Sequence, residues 1–182
     1  YMPELPEVQT VVNGIKSKII NLKVLRFQKY TNKLRYPIQR DLASQIEGHN
    51  VTMIFRRAKY IIINLSNNKS IILHLGMSGR VIIECSNKKI KHTHFCIFFN
   101  KNLVLQFIDP RRFGYVFLNE TDTIVDHKFF KNLGVEPLSR QFNTPFLIKL
   151  VNHKHTSIKN IIMNQKYVCL LYTSDAADEH SW

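Results

Sequence analysis

The sequence has no apolar run approaching the roughly 18 residues of a membrane span. Its start shows no basic stretch followed by an apolar one, so the expectation is a chain with neither a secretory signal nor a membrane span. Cysteine is scarce: Cys85, Cys96 and Cys169 form no Cys-x-x-Cys pair. That excludes a disulfide framework, fits reduced thiols in a cytosol, and cannot supply a zinc site of four cysteines. Acid is scarce too, with 13 Asp+Glu against 26 Lys+Arg, a net charge of +13. Such a surplus points to a polyanionic partner, either nucleic acid or an acidic membrane face. A lineage rich in Lys, Asn and Ile codons is the plainer explanation. Disorder of the whole chain is excluded, because hydrophobic residues make up 45% of it and recur throughout. No repeat of fixed period is present.

What is there reads as mixed α+β. Val8, Val11, Val12, Ile15 and Ile19 fall at helical spacing, so a helix is predicted over Pro6–Ile20, with Pro6 in its first turn. A short helix is predicted over Pro37–Ile46. Strands are predicted over Leu22–Tyr30, Val51–Arg57, Tyr60–Leu65, Ser70–Leu75, Arg80–Cys85, Thr93–Phe99, Leu103–Ile108 and Tyr115–Leu118, with polar turns between them. Many short, closely spaced strands indicate an antiparallel sandwich or barrel rather than a parallel sheet. Beyond Gly134 and Pro137 the pattern turns helical, over Thr144–Asn152, with Thr144 as cap, and over Ile158–Asn164.

The last residues differ in composition. From Cys169 on there is no Lys or Arg, three of the 13 acids, and the only Trp. Cys169–Glu179 looks like a translated transposon-type sequencing adaptor, so residues 169–182 are read as an artefactual tail. Residues 1–168 alone hold 26 basic and ten acidic residues, a net +16.

Three segments carry chemistry. In Met2-Pro3-Glu4-Leu5-Pro6-Glu7-Val8, removal of Met2 would leave Pro3 with a free secondary amine. Such an amine is nucleophilic near neutral pH and forms iminium adducts with aldehydes, and Glu4 beside it could act as acid or base. The alternative is an ordinary helix start. His74-Leu75-Gly76-Met77-Ser78-Gly79-Arg80 is a strand entering a Gly-rich turn. Met77 there is either packed in a core or exposed as an apolar wedge for a base stack. Asp109-Pro110-Arg111-Arg112-Phe113-Gly114 either binds phosphate and inserts an aromatic into DNA, or is a turn held by an Arg–Asp ion pair.

In this order, and with Arg56-Arg57-Ala58-Lys59-Tyr60, Leu133-Gly134-Val135-Glu136-Pro137-Leu138, Thr156-Ser157-Ile158-Lys159 and Met163-Asn164, these segments resemble the formamidopyrimidine-DNA glycosylases. The resemblance runs from Met2 to about Gln165. Leu5 favours this purine-directed branch over the sister family that opens Pro-Glu-Gly-Pro-Glu. The fold it implies is an N-terminal two-layer antiparallel β-sandwich flanked by helices (residues 2–138). The start of a helical, helix-two-turn-helix domain follows (139–168).

By this resemblance the function is base-excision repair by a bifunctional DNA glycosylase and AP lyase. It acts on double-stranded DNA containing oxidised purines or abasic sites, as a monomer in a bacterial cytoplasm. Pro3 corresponds to the nucleophile, Glu4 to the acid/base at the sugar, and Lys59 to the lysine of β-elimination. Met77, Arg111 and Phe113 correspond to the residues that fill the gap left by a flipped base, with Arg111 facing the orphaned cytosine. His92 and Lys154 correspond to DNA contacts, although the histidines flanking Lys154 depart from the family's Lys-rich run. His92-x-His94 is not read as a metal site, since no third ligand is evident. Zinc is implied for full-length members, with ligands this chain lacks.

Two departures bear on activity. Tyr1-Met2 precedes Pro3, so as written its nitrogen is an amide, and Met2 is expected to be the true start. The lesion-phosphate Asn, the zinc finger and the loop that reads the oxidised base are not among the residues present, so this fragment is expected to be inactive or impaired. The rivals are a non-catalytic basic DNA-binding module of the same fold and a small enzyme using an N-terminal proline on metabolites. The first would keep Arg111 and Phe113 but lose Pro3, Glu4 or Lys59. The second needs neither the basic surplus nor the Arg-Arg-Phe turn.

Overall fold

The computed structural model describes residues 3–85, 88–152 and 154–169. The expectations about Met2 and about residues 170–182 lie outside them, as does His153. The chain divides into two compact units, 1–124 and 125–182. This division falls ahead of Leu138, where the motifs suggest a boundary.

The first unit opens with helix α1 (Leu5–Ile19), which carries a proline in its first turn. Leu5, Val8, Val12, Ile15 and Ile19 form its buried face, and Lys16 and Lys18 lie in the last turn, where the helix dipole favours cations. Eight strands follow: β1 (Val24–Lys29), β2 (Val51–Arg57), β3 (Tyr60–Leu65), β4 (Lys69–His74), β5 (Arg80–Glu84), β6 (Thr93–Phe99), β7 (Val104–Ile108) and β8 (Tyr115–Glu120). They make two four-stranded antiparallel sheets, in the orders β1-β6-β7-β5 and β2-β3-β4-β8. The core includes Val24, Ile61, Ile63, Ile71, Leu73, Phe95, Ile97 and Phe107 together with the α1 face. This is the predicted sandwich.

Helix α2 (Leu42–Ile46) is shorter than the Pro37–Ile46 expected from the pattern. The Gln39 side chain explains why, because its Oε1 accepts from the Leu118 N–H at 2.6 Å. That bond ties the segment before α2 to the open side of β8, an edge strand, and satisfies an edge donor that would otherwise invite pairing. Strand β7 is buried along its whole length, including Gln106. The Gln106 amide pays no desolvation penalty there, since Thr93 Oγ1 and the Ile90 N–H donate to it and it donates to the Lys88 carbonyl.

In the second unit α3 (Thr144–Val151) is capped one residue earlier than expected. The Asn143 side chain accepts from the Phe146 N–H, and Thr144 is already helical. The extended backbone of Asn143 lets its side chain meet that N–H, and Asn is preferred over Thr at this position. Ser157 caps α4 (Ile158–Met163) in the same way. The Leu133–Leu138 motif belongs to this unit through its backbone: Gly134 and Val135 donate to Gln165 and Tyr167, and Cys169 donates to Val135. A Cβ on Gly134 would stand 2.2 Å from Tyr167 backbone atoms, so the approach requires glycine. Cys169, the first residue of the composition shift, is therefore packed.

Candidate active site and nucleic-acid interface

The strand register gathers the chemistry at one end of the sandwich. Tyr60 opposes His74, and His74 opposes Tyr115. In the other sheet Ile108 opposes both Arg80 and Thr93. The turns at Ala58–Lys59, Leu75–Gly79 and Asp109–Gly114, and the entry to β6 at His92, follow from these pairings.

Lys59 lies in the tight β2–β3 turn, whose Ala58 takes a left-handed φ of 54°. Its side chain is 7% exposed, and Nζ lies 3.6 Å from Glu4 Oε2 at the start of α1, next to Pro3. Arg56 holds the two elements together: its Nε donates to Gln9 Oε1 on α1 at 3.0 Å, and its guanidinium also donates to the Ala58 carbonyl. A buried ammonium beside a carboxylate at the chain's Pro3 end can exchange a proton with a reacting group while leaving charge nearby to balance it.

His74, which the sequence reading left without a role, joins this turn to the next. Its ring is 4.9 Å from that of Tyr60 and stacks at the same distance on Tyr115. Nδ1 accepts from the Gly76 N–H, so in the neutral ring Nε2 carries the proton. Burial, with Lys59 and Arg35 nearby, pushes its pKa down to about 4, so the ring stays neutral. The Tyr60 and Tyr115 hydroxyls share a hydrogen bond of 2.9 Å. The signal for His74 was its position at the mouth of the Gly-rich turn, but only the sheet register shows what it touches.

The Asp109–Gly114 loop is built around a carboxylate. Asp109 is fully buried, and Arg111 N–H, Gly114 N–H and Ser78 Oγ–H donate to it. No Arg–Asp ion pair holds the turn. The Arg111 guanidinium instead lies over the Phe113 ring, 5.1 Å from its centroid. Both side chains project outward, with Phe113 41% exposed, and Arg112 between them has a left-handed φ of 62°. Met77 is half-buried on the facing turn, between the two readings open from the sequence. The turns touch through glycine: a Cβ on Gly76 would lie 2.5 Å from Gly114 N. His92 is exposed with a φ of 67°, and its carbonyl accepts from Asp109 N. His94 is buried and its Nε2 donates to the Asp109 carbonyl at 2.7 Å, so the two histidines are not a ligand pair.

A model of the formamidopyrimidine-DNA glycosylase N-terminal domain matches residues 2–116. The chain belongs to the formamidopyrimidine-DNA glycosylase family. A formamidopyrimidine-DNA glycosylase of Rickettsia bellii is 41% identical over 168 residues, and one of Wolbachia pipientis is 39% identical, each alignment covering 92% of this chain and 61% of the relative. Among solved structures, a Lactococcus lactis formamidopyrimidine-DNA glycosylase bound non-covalently to DNA with an AP site aligns with a TM-score of 0.79 at 26% identity, over 93% of this chain and 65% of that one. A MutM in complex with DNA containing carbocyclic 8-oxo-G gives 0.79 at 27%, covering 93% and 64%. The chain thus spans about three fifths of the length of these curated relatives.

Lys154 lies in the second unit, with Nζ donating to the Tyr167 hydroxyl at 3.1 Å and resting over its ring. The zinc implied for full-length members does not fit the residues here. Cys85 is exposed while Cys96 and Cys169 are buried, and among the described residues no group of three or more His, Cys, Asp or Glu could hold a metal. No helix among the described residues is long and apolar enough to cross a membrane.

Proposed function

We propose that this chain carries the reacting and gap-filling part of a base-excision DNA glycosylase and AP lyase for oxidised purines, 8-oxoguanine and formamidopyrimidines, in double-stranded DNA. The observation that carries the reading is the Lys59–Glu4 pair beside Pro3, at the end of the sandwich that also presents Met77, Arg111 and Phe113. A binding module would need the outward Arg and Phe but not a buried lysine against a carboxylate.

In this reading the target nucleotide is flipped out of the duplex and its place is taken by the wedge side chains. The lone pair of the Pro3 nitrogen attacks C1′. The bond from C1′ to the base breaks, the base leaves with a proton, and the sugar ring opens to an iminium with its O4′ protonated. Glu4 supplies and recovers that proton. Loss of the C2′ proton then expels the 3′ phosphate, a β-elimination served by Lys59, and δ-elimination releases the 5′ phosphate. Pro3 can attack only as a free amine, so Tyr1 and Met2 must be absent from the working protein. The +13 charge suits the phosphate backbone, and the exposed Arg111 suits the unpaired base opposite the gap.

Borohydride reduces such an iminium to a stable protein–DNA link. The chain expressed from Met2, with Met2 removed, is expected to form this link on an abasic duplex and to excise oxidised guanine only weakly, since the base-reading loop is not among these residues. No link from the Pro3-headed chain, or a link that persists when the Pro3 amine is blocked, would refute the mechanism. Robust excision of oxidised guanine would refute the impairment.

A further inference from the structure

We propose that Asp109 and Ser78 are positioning residues that clasp the two wedge-bearing turns into one unit, and that they govern gap filling rather than the chemistry at Pro3. The inference rests on the glycosylase reading above and adds to it two residues that bear no wedge themselves.

The clasp is anchored at both ends of the Asp109–Gly114 loop. One Asp109 carboxylate oxygen accepts from the Gly114 N–H at 2.7 Å, which fixes the loop's exit. The other accepts from Ser78 Oγ and, at 3.3 Å, from the Arg111 N–H. Ser78 Oγ also accepts from the Arg111 N–H at 3.1 Å, so one hydroxyl bonds both to the loop's base and to its tip-bearing residue. The Arg112 N–H and the His94 ring both donate to the Asp109 carbonyl, and the Arg35 N–H donates to the Gly114 carbonyl. On the other turn Ser78 follows Met77, and Gly79 N closes back on Leu75 O at 2.8 Å.

A buried carboxylate is a costly way to hold an ordinary turn. Asp109 has no cation partner, and its charge is met by two backbone N–H groups and a hydroxyl. These donors come from both turns. The glycine contacts between the turns leave no slack, because a Cβ on Gly76 or Gly114 would overlap backbone. Met77 and the Arg111–Phe113 pair are therefore set relative to one another before DNA arrives, which reduces the ordering cost of filling a gap.

The test uses the Pro3-headed chain and borohydride linking to an abasic site, in a duplex and in a single strand. Only the duplex has a gap and an opposite base. Ser78→Ala removes a donor and an acceptor, and is expected to slow duplex linking about tenfold. Linking to the single strand should stay at the wild-type rate, while the unfolding midpoint falls modestly, because Asp109 keeps the N–H donors of Arg111 and Gly114. Ser78→Thr, which keeps the hydroxyl, should restore duplex linking. Asp109→Asn, which turns an NH2 toward a backbone N–H, should show the same duplex-selective loss. A 2-aminopurine opposite a stable abasic analogue should brighten on binding wild type and Ser78→Thr, and much less with Ser78→Ala. Equal loss on both substrates, or no loss on either, overturns the proposal. A wild-type chain that links to neither refutes the glycosylase reading and this inference with it, whereas a wild type that links while Ser78→Ala matches it refutes the inference alone.

Discussion

Glu4 and Lys59 meet through their side chains at 3.6 Å, beside Arg56, which ties its strand to α1. The wedge turns meet through backbone, two glycines and a buried carboxylate. The first region is joined through side chains that face the place where a sugar would open and protons move in the proposed reaction. The second cannot shift without overlap, but its outermost side chains, Arg111 and Phe113, are exposed and contribute little to the packing that holds it. Reacting groups thus meet through side chains, while the part that must replace a base is made rigid at its root. His74 bridges the two, with its ring tilted against Tyr60 and its Nδ1 accepting from the Gly76 N–H.

The largest test of this contrast acts on the reacting region. Blocking the Pro3 amine is expected to reduce borohydride linking by about a hundredfold or more, with no change in the unfolding midpoint, since one nitrogen is changed and no packing is lost. Comparable linking from the blocked chain would remove Pro3 from the mechanism.

Against the rigid region, Gly76→Ala should act on stability instead. Its Cβ would meet Gly114 N and Phe113 C, both at 2.5 Å, at a φ of +64°. A loss of about 2–4 kcal/mol in denaturant unfolding is expected. A loss below about 0.5 kcal/mol would show that the turns have slack after all.

The bridge should show itself in pH. His74 has a folded pKa of about 4, below the 6.5 of an unfolded histidine. The unfolded chain therefore binds the proton first as pH falls. Stability should be unaffected above about pH 6.5 and should decline between there and pH 4, by up to ~3 kcal/mol. His74→Gln should flatten this portion of the pH–stability curve, and an unchanged slope would exclude His74 as its source.

Phe113→Ala should have the smallest effect on the folded protein. With 41% of the residue exposed, stability should move by less than about 1 kcal/mol, while 2-aminopurine brightening on an abasic duplex falls. A large stability loss would mean that the wedge tip is part of the packing, and the contrast would fail.

The sequence by itself determined the elements, because the 3.6-residue spacing of α1 and the short Val/Ile/Phe runs between polar turns leave few other structures. It also determined the family, because Pro3–Val8, His74–Gly79 and Asp109–Gly114 stand in order with their residues intact. It misjudged where α2 begins, at Pro37, and which residue caps α3, because Gln39 is tied to a distant Leu118 N–H and the neighbouring Asn143 takes the cap. It left open whether Arg111 pairs with Asp109. Only the tertiary structure decided that, and the reason is physical: an acceptor bonds whichever donors the fold brings to it. The fold brought Asp109 the N–H groups of Arg111 and Gly114 and the hydroxyl of Ser78, and left the Arg111 guanidinium for another partner.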